Sequence, residues 1–145
     1  MLTLDEALGL CAAARVAAAE QGAAMSFAVV DAQGHLLAVA RMDGAGWVYA
    51  DIAHGKAWTA AAFGTASAAL KEKMASMPQF ATAVTTMTHG RFTPQTGAVP
   101  VFRDGVLLGA LGASGASGEQ DEKVCSSAVT TTGFDLTHRS TEGSR

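Results

Sequence analysis

The hydrophobic pattern opens with a run from Leu4 to Glu20 in which apolar and small residues are interrupted only by Asp5, Glu6 and Arg15. It predicts a helix whose Leu4, Leu8, Cys11 and alanines form a small-residue face suited to lying on a sheet. Thr3 and Glu6 have the form of a capping box at its start, and Gln21-Gly22 supplies its stop. Met25 to Asp31 then alternates Met25, Phe27 and Val29 on one side with Ala28 and Val30 on the other, which predicts a strand covered on both faces. Asp31-Ala32-Gln33-Gly34 has the Asp-first, Gly-last form of a type I turn. The strand after it places His35, Leu37, Val39 and Arg41 on one face and Leu36, Ala38 and Ala40 on the other, closing in Arg41-Met42-Asp43-Gly44.

A second helix is predicted from about Ala50 to Ala62, with Lys56, Thr59, Ala60 and Phe63 on one face and His54 and Trp58 on a neighbouring stripe. Thr65 or Ser67 can cap a shorter helix that closes before Pro78. From Gln79 to Ala98 the pattern dissolves into Thr, Gly and Pro, which predicts a loop able to fold over a ligand and carrying His89, Arg91 and Phe92. Val99 to Arg103 and Val106 to Ala113 are strands joined at Asp104-Gly105, a hairpin signal. Ser114-Gly115-Ala116-Ser117 leads into a last helix, capped by Ser117 and Gln120. The order is α-β-β-α-α-β-β-α, an α+β domain over residues 1–135 with a flexible tail over 136–145.

Composition and charge change this picture in four places. Charged residues make up only 16% of the 145, which favours a homo-oligomer whose surface is partly covered by neighbouring copies. A net charge of −3 without a basic run argues against nucleic acid as a partner. The apolar runs break too soon for a membrane span, and the acidic start lacks the form of a signal peptide, so a cytoplasmic protein is expected. Cys11 and Cys125 read as two buried thiols in a reducing compartment.

AVVDAQGHLLAVARMDGA, GKAWTAAAF, GAVPV and GALGASGASGEQDE, in that order, resemble the GlcG/HbpS-like family of haem-binding and glycolate-operon-associated proteins. The same domain forms the C-terminal part of PduO-type corrinoid adenosyltransferases, and the resemblance runs from about Leu2 to Ala128. It implies a profilin-like sandwich with a central antiparallel sheet of about five strands, self-assembly, and haem as cofactor. The chain departs from the family at Gly97-Ala98, where paired glycines are usual, and at Thr65-Ala66-Ser67, where a proline is usual.

Against that resemblance the chemistry-bearing residues fall into two readings. In the first, a haem-binding protein, Arg41, Lys56 and the loop of Ser114, Gly115 and Gln120 meet a ligand's carboxylates. Trp58, Thr59, Phe63 and Phe92 supply walls, and His54 or His89 is an axial ligand to iron. In the second, a lyase- or isomerase-type enzyme, Lys56 works with Asp43 or Glu119 as an acid–base pair on a carboxylate-bearing substrate. The structural alternatives are an Arg41–Asp43 bridge, a Lys56 paired with Asp43 or Asp51, and Glu119, Asp121 and Glu122 as ordinary first-turn acids. The histidines have no zinc-site spacing.

Overall fold

The computed structural model of the chain describes residues 1–138. Its first helix, α1 (Leu4–Glu20), opens on the expected capping box: Thr3 Oγ1 accepts from Glu6 N at 3.1 Å, and Glu6 Oε1 accepts from Thr3 N at 3.0 Å. β1 (Ser26–Asp31) and β2 (Leu36–Arg41) form a hairpin turned by Asp31, whose Oδ1 accepts from both Gln33 N and His35 N at 2.9 Å. There follow α2 (Val48–Phe63), α3 (Ser67–Met74), α4 (Pro78–Met87), the hairpin of β3 (Ala98–Arg103) and β4 (Val106–Ser114), and α5 (Gly118–Thr131). α5 starts on the second capping box, Ser117 with Gln120.

All strand pairs are antiparallel, in the order β2-β1-β4-β3. The class and element order are those expected, but the sheet has four strands rather than about five. Two hairpins supply four strands, and beyond them the described chain adds only an isolated bridge between Phe102 and Asp135. The sheet is packed on both faces. On one, Phe27, Val29, Val99, Val101 and Leu111 meet Leu10 and Ala14 of α1 and Val124 and Ala128 of α5. On the other, Val30, Ala98 and Ala110 meet Ala57, Ala60 and Ala61 of α2. The two-residue period of β1 thus sorts its side chains between two cores, which is why all five residues from Ser26 to Val30 are buried. α2 can approach this closely because β4 carries Gly112: a Cβ there would collide with the carbonyl oxygen of Ala53.

Four local expectations are corrected. Leu4 and Leu8 do not face the sheet; they are 57% and 51% exposed, and Ala7, Leu10, Ala14 and Ala18 make the inner face of α1 instead. The 79–98 stretch is not all loop. Pro78 sits in the first turn of α4, where its missing N–H is no loss, and Thr82 and Thr88 return their hydroxyls to the carbonyls of Pro78 and Val84 within the helix. Neither Thr65 nor Ser67 caps α3; the N-cap is Ala66, and Ser67 Oγ accepts from Ala98 N at 3.0 Å. Phe63 is 48% exposed and does not share the burial of Lys56, Thr59 and Ala60. Of the expected tail, Leu136 packs against the main core, and residues 139–145 lie outside the described residues.

Candidate functional site

α2 divides the chemistry of the chain between its two sides. Lys56 points inward, with its residue only 5% exposed, and its Nζ donates to Asp121 Oδ2 at 3.0 Å and to Ala113 O at 3.2 Å. Asp121, 1% exposed, belongs to the first turn of α5. Burial raises its carboxyl above the ordinary aspartate value, and the Lys56 ammonium opposes that shift. The lysine is therefore neutralised by Asp121, and among the described residues it makes no ion pair with Asp43, Asp51 or Glu119. Gly97 closes the arrangement: it holds φ +137°, and a Cβ would stand 2.7 Å from Lys56 Nζ. Cys125, fully buried beside this pair, points its thiol at Gly97 O at 3.5 Å, and burial lifts it well above the ordinary cysteine value.

The glycine-rich entry to α5 is an anion cradle whose anion comes from the chain itself. Asp121 Oδ1 accepts from Ala116 N at 3.1 Å, Gln120 Oε1 from Ser117 N at 3.2 Å, and Ser117 Oγ from Gln120 N at 3.2 Å. Ser114 is buried opposite Ser26 of β1, whose own hydroxyl has no hydrogen-bond partner among the described residues. One carboxylate thus ties the 114–117 loop and α2 together. Ala98, where the family's second glycine would stand, is wholly buried and fills the core under α2.

The outer side of α2 is different. Asp51, His54, Gly55 and Trp58 fall on one stripe and face His89, Gly90 and Arg91 across a cleft of about 170 Å³. The far wall is built by a sharp turn after α4: His89 takes the left-handed φ of +56°, and Gly90 follows at +80°. Thr59 anchors that turn from α2, its Oγ1 donating to Gly55 O at 2.8 Å and accepting from Thr93 N at 2.7 Å. Phe92 is buried with Leu70 and Met74, against Trp58, and its ring lies 5.6 Å from that of Phe63. Burial and the positive Arg91 lower the His54 pKa below its ordinary value, while Asp51 pulls the other way. A neutral imidazole with a free nitrogen lone pair therefore stands in the cleft at neutral pH.

The two candidate axial ligands, His54 and His89, are thus brought together with Trp58, and Thr59 and Phe92 stand behind them as support for the wall. Lys56 meets Asp121 in the interior, while exposed Gln120 bonds Ser117 at the start of α5, Ser114 pairs with Ser26 of β1, and Gly115 stands against Ala24 and Met25. Arg41 and Asp43 are exposed at the end of the edge strand β2 and make no bridge with each other. Sequence reasoning passed over Asp121, which reads as a helix-starting acid, and left Arg91 and Asp51 outside the site; the His89-Gly90-Arg91 run and the 51/54/58 spacing were the available signals. A larger hollow of about 290 Å³, between Gly64, Pro100, Glu122 and His138, contains none of the candidate residues. Among the described residues no three His, Cys, Asp or Glu side chains are grouped to hold a bare metal ion, and no helix is long and apolar enough to cross a membrane.

These features define a small α+β domain with one face of a central helix lining a histidine-bearing cleft. The chain belongs to the HbpS-like family: residues 2–130 match the family described as haem degrading protein HbpS-like. Its structure is similar to that of a PduOC–haem complex, at 30% identity and a TM-score of 0.81, over 90% of this chain and 94% of that one. It is similar to a double mutant of HbpS from Streptomyces reticuli at 32% identity and 0.81, over 91% and 87% of the two chains. The ORFY protein of Klebsiella pneumoniae is similar at 29% and 0.79, over 90% and 89%. No curated protein matches the chain.

Proposed function

We propose that this chain binds haem, or a related tetrapyrrole, at the cleft between α2 and the His89–Arg91 turn, as a cytoplasmic homo-oligomer that stores, senses or degrades its ligand. The observation that carries the reading is the convergence of His54 and His89 on one cleft beside Trp58 and Arg91. His54, whose pKa is lowered by burial and Arg91, would offer a neutral imidazole to the iron, and His89 would be the other imidazole within reach of the cleft. Trp58 offers an apolar wall to the ring, and Arg91 a planar fork for a propionate. The cleft, at about 170 Å³, is smaller than the roughly 300 Å³ of pockets that enclose a drug-sized ligand, so its residues would hold only part of a tetrapyrrole. When bound, haem would supply redox chemistry at its iron. Family membership and the likeness to a haem complex support the ligand, and the low charged fraction supports assembly. The buried free thiols Cys11 and Cys125 suit a reducing compartment.

Haemin titration followed by absorption spectroscopy tests the reading. The expected result is a saturable Soret shift that His54→Ala abolishes and His89→Ala weakens, with a Lys71→Ala control, exposed on α3, unchanged. A weak, unsaturable change that neither histidine substitution alters overturns it.

A further inference from the structure

We propose that α1 docks against α1 of a second copy of this chain, antiparallel, through an outward stripe of Leu4, Leu8, Ala12 and Val16. The inference rests on the self-assembly in the preceding reading and not on haem. α1 is apolar on two sides. Its inner side, Ala7, Leu10, Cys11, Ala14, Ala17 and Ala18, is buried on the sheet and α5. Its outer side leaves Leu4, Leu8 and Val16 57%, 51% and 54% exposed, and with Ala12 they stand four residues apart. Residues at that spacing form one of the ridges by which helices interlock, here about 18 Å long. A helix apolar on all sides belongs in an interior, and the fold of one chain covers only half of this one.

Charge selects both the occupant and its direction. Asp5 and Arg15 border the stripe near its two ends, both exposed and neither ion-paired among the described residues. About a two-fold axis at the level of Leu10, Leu4 comes level with the partner's Val16 and Leu8 with the partner's Ala12. The same axis brings Asp5 level with the partner's Arg15, and symmetry repeats each of these approaches. A parallel copy would instead set like charges side by side. Gly9, also on the exposed side, has nothing among the described residues within 4 Å of where a Cβ would stand, so its contacts there do not require its small size. A helix crossing closely above it does.

Sedimentation equilibrium of the full chain across a range of concentrations tests this, with circular dichroism to verify folding. Leu8→Glu, an exposed position, is expected to drop the assembled species by at least half at concentrations where the unchanged chain is associated. Asp5→Arg is expected to weaken association roughly tenfold, and Asp5→Arg combined with Arg15→Asp to restore it. An unchanged chain that sediments as a monomer overturns the second-copy occupant and, with it, the assembly in the proposed function. Assembly that survives Leu8→Glu overturns the α1 face alone, and failure of the double charge swap to restore association overturns the antiparallel pairing. Haemin titration of Leu8→Glu is read separately, so a failed haem reading is not mistaken for a failed interface.

Discussion

Lys56→Met leaves a buried aspartate without its counterion. In the native chain both side chains of the pair are nearly sealed, 6% exposed for Lys56 and 2% for Asp121, so solvent screens the interaction little. Removing one partner of such a pair costs about 3–5 kcal/mol, which for a domain of this size lowers Tm by roughly 10 °C or more. The loss depends on pH in a defined direction. Burial raises the folded Asp121 carboxyl above its unfolded value even with the lysine present, and removing the ammonium raises it further. A group with a raised folded pKa binds its proton more tightly in the folded state, so stability falls as pH rises from the ordinary aspartate value through the folded one. Urea denaturation of Lys56→Met should therefore show its full loss at pH 7 and a smaller loss as pH falls through that window, where protonation leaves a neutral side chain. Lys56→Met combined with Asp121→Leu should recover most of the stability, because two apolar groups of similar bulk need no counterion. Single losses that simply add in the double variant, or a loss that does not change with pH, would refute the account of a mutually neutralised buried pair.

Two further predictions concern the supports on either side of α2. Gly97→Ala places a Cβ at φ +137° against the Lys56 ammonium; it should destabilise by about 1–3 kcal/mol from backbone strain alone, measured by the same denaturation. Thr59→Val removes the acceptor that holds Thr93 N on α2; it should cost about 1 kcal/mol of stability yet weaken haemin binding several-fold, because it frees the turn that carries His89. Equal haemin affinity in that variant would show that the turn needs no anchor.

Much of the architecture was legible from period and punctuation. Alternation in 25–31 reported a strand buried on both sides because successive side chains of a pleat must leave in opposite directions, and β1 is indeed shared between two cores. Both capping boxes were readable because their partners lie three residues apart. The α4 segment was not, since threonines favour strands and loops until their hydroxyls find carbonyls one turn back, and only the folded helix provides those. The facing of α1 escaped for a different reason. With alanines on every side, Leu4 and Leu8 look like core, and only packing against β1 and α5 chose the other face.

By itself the sequence determined the four strands, four of the five helices, the two capping boxes and which family the chain joins, because all of these depend on residues close along the chain or on motifs in order. The tertiary structure decided how the charges are used. Lys56 and Asp121 stand 65 residues apart, and His54 and His89 come from different elements; no local rule relates either pair. Packing α2 on Gly112 turned Lys56 inward to a carboxylate that already filled the helix-start cradle, and the same packing left His54 and Trp58 facing outward to the turn that Thr59 holds. The division follows from the cost of burying charge: an ion driven into a core must meet its opposite there, and the groups that remain free to bind are those the core did not need.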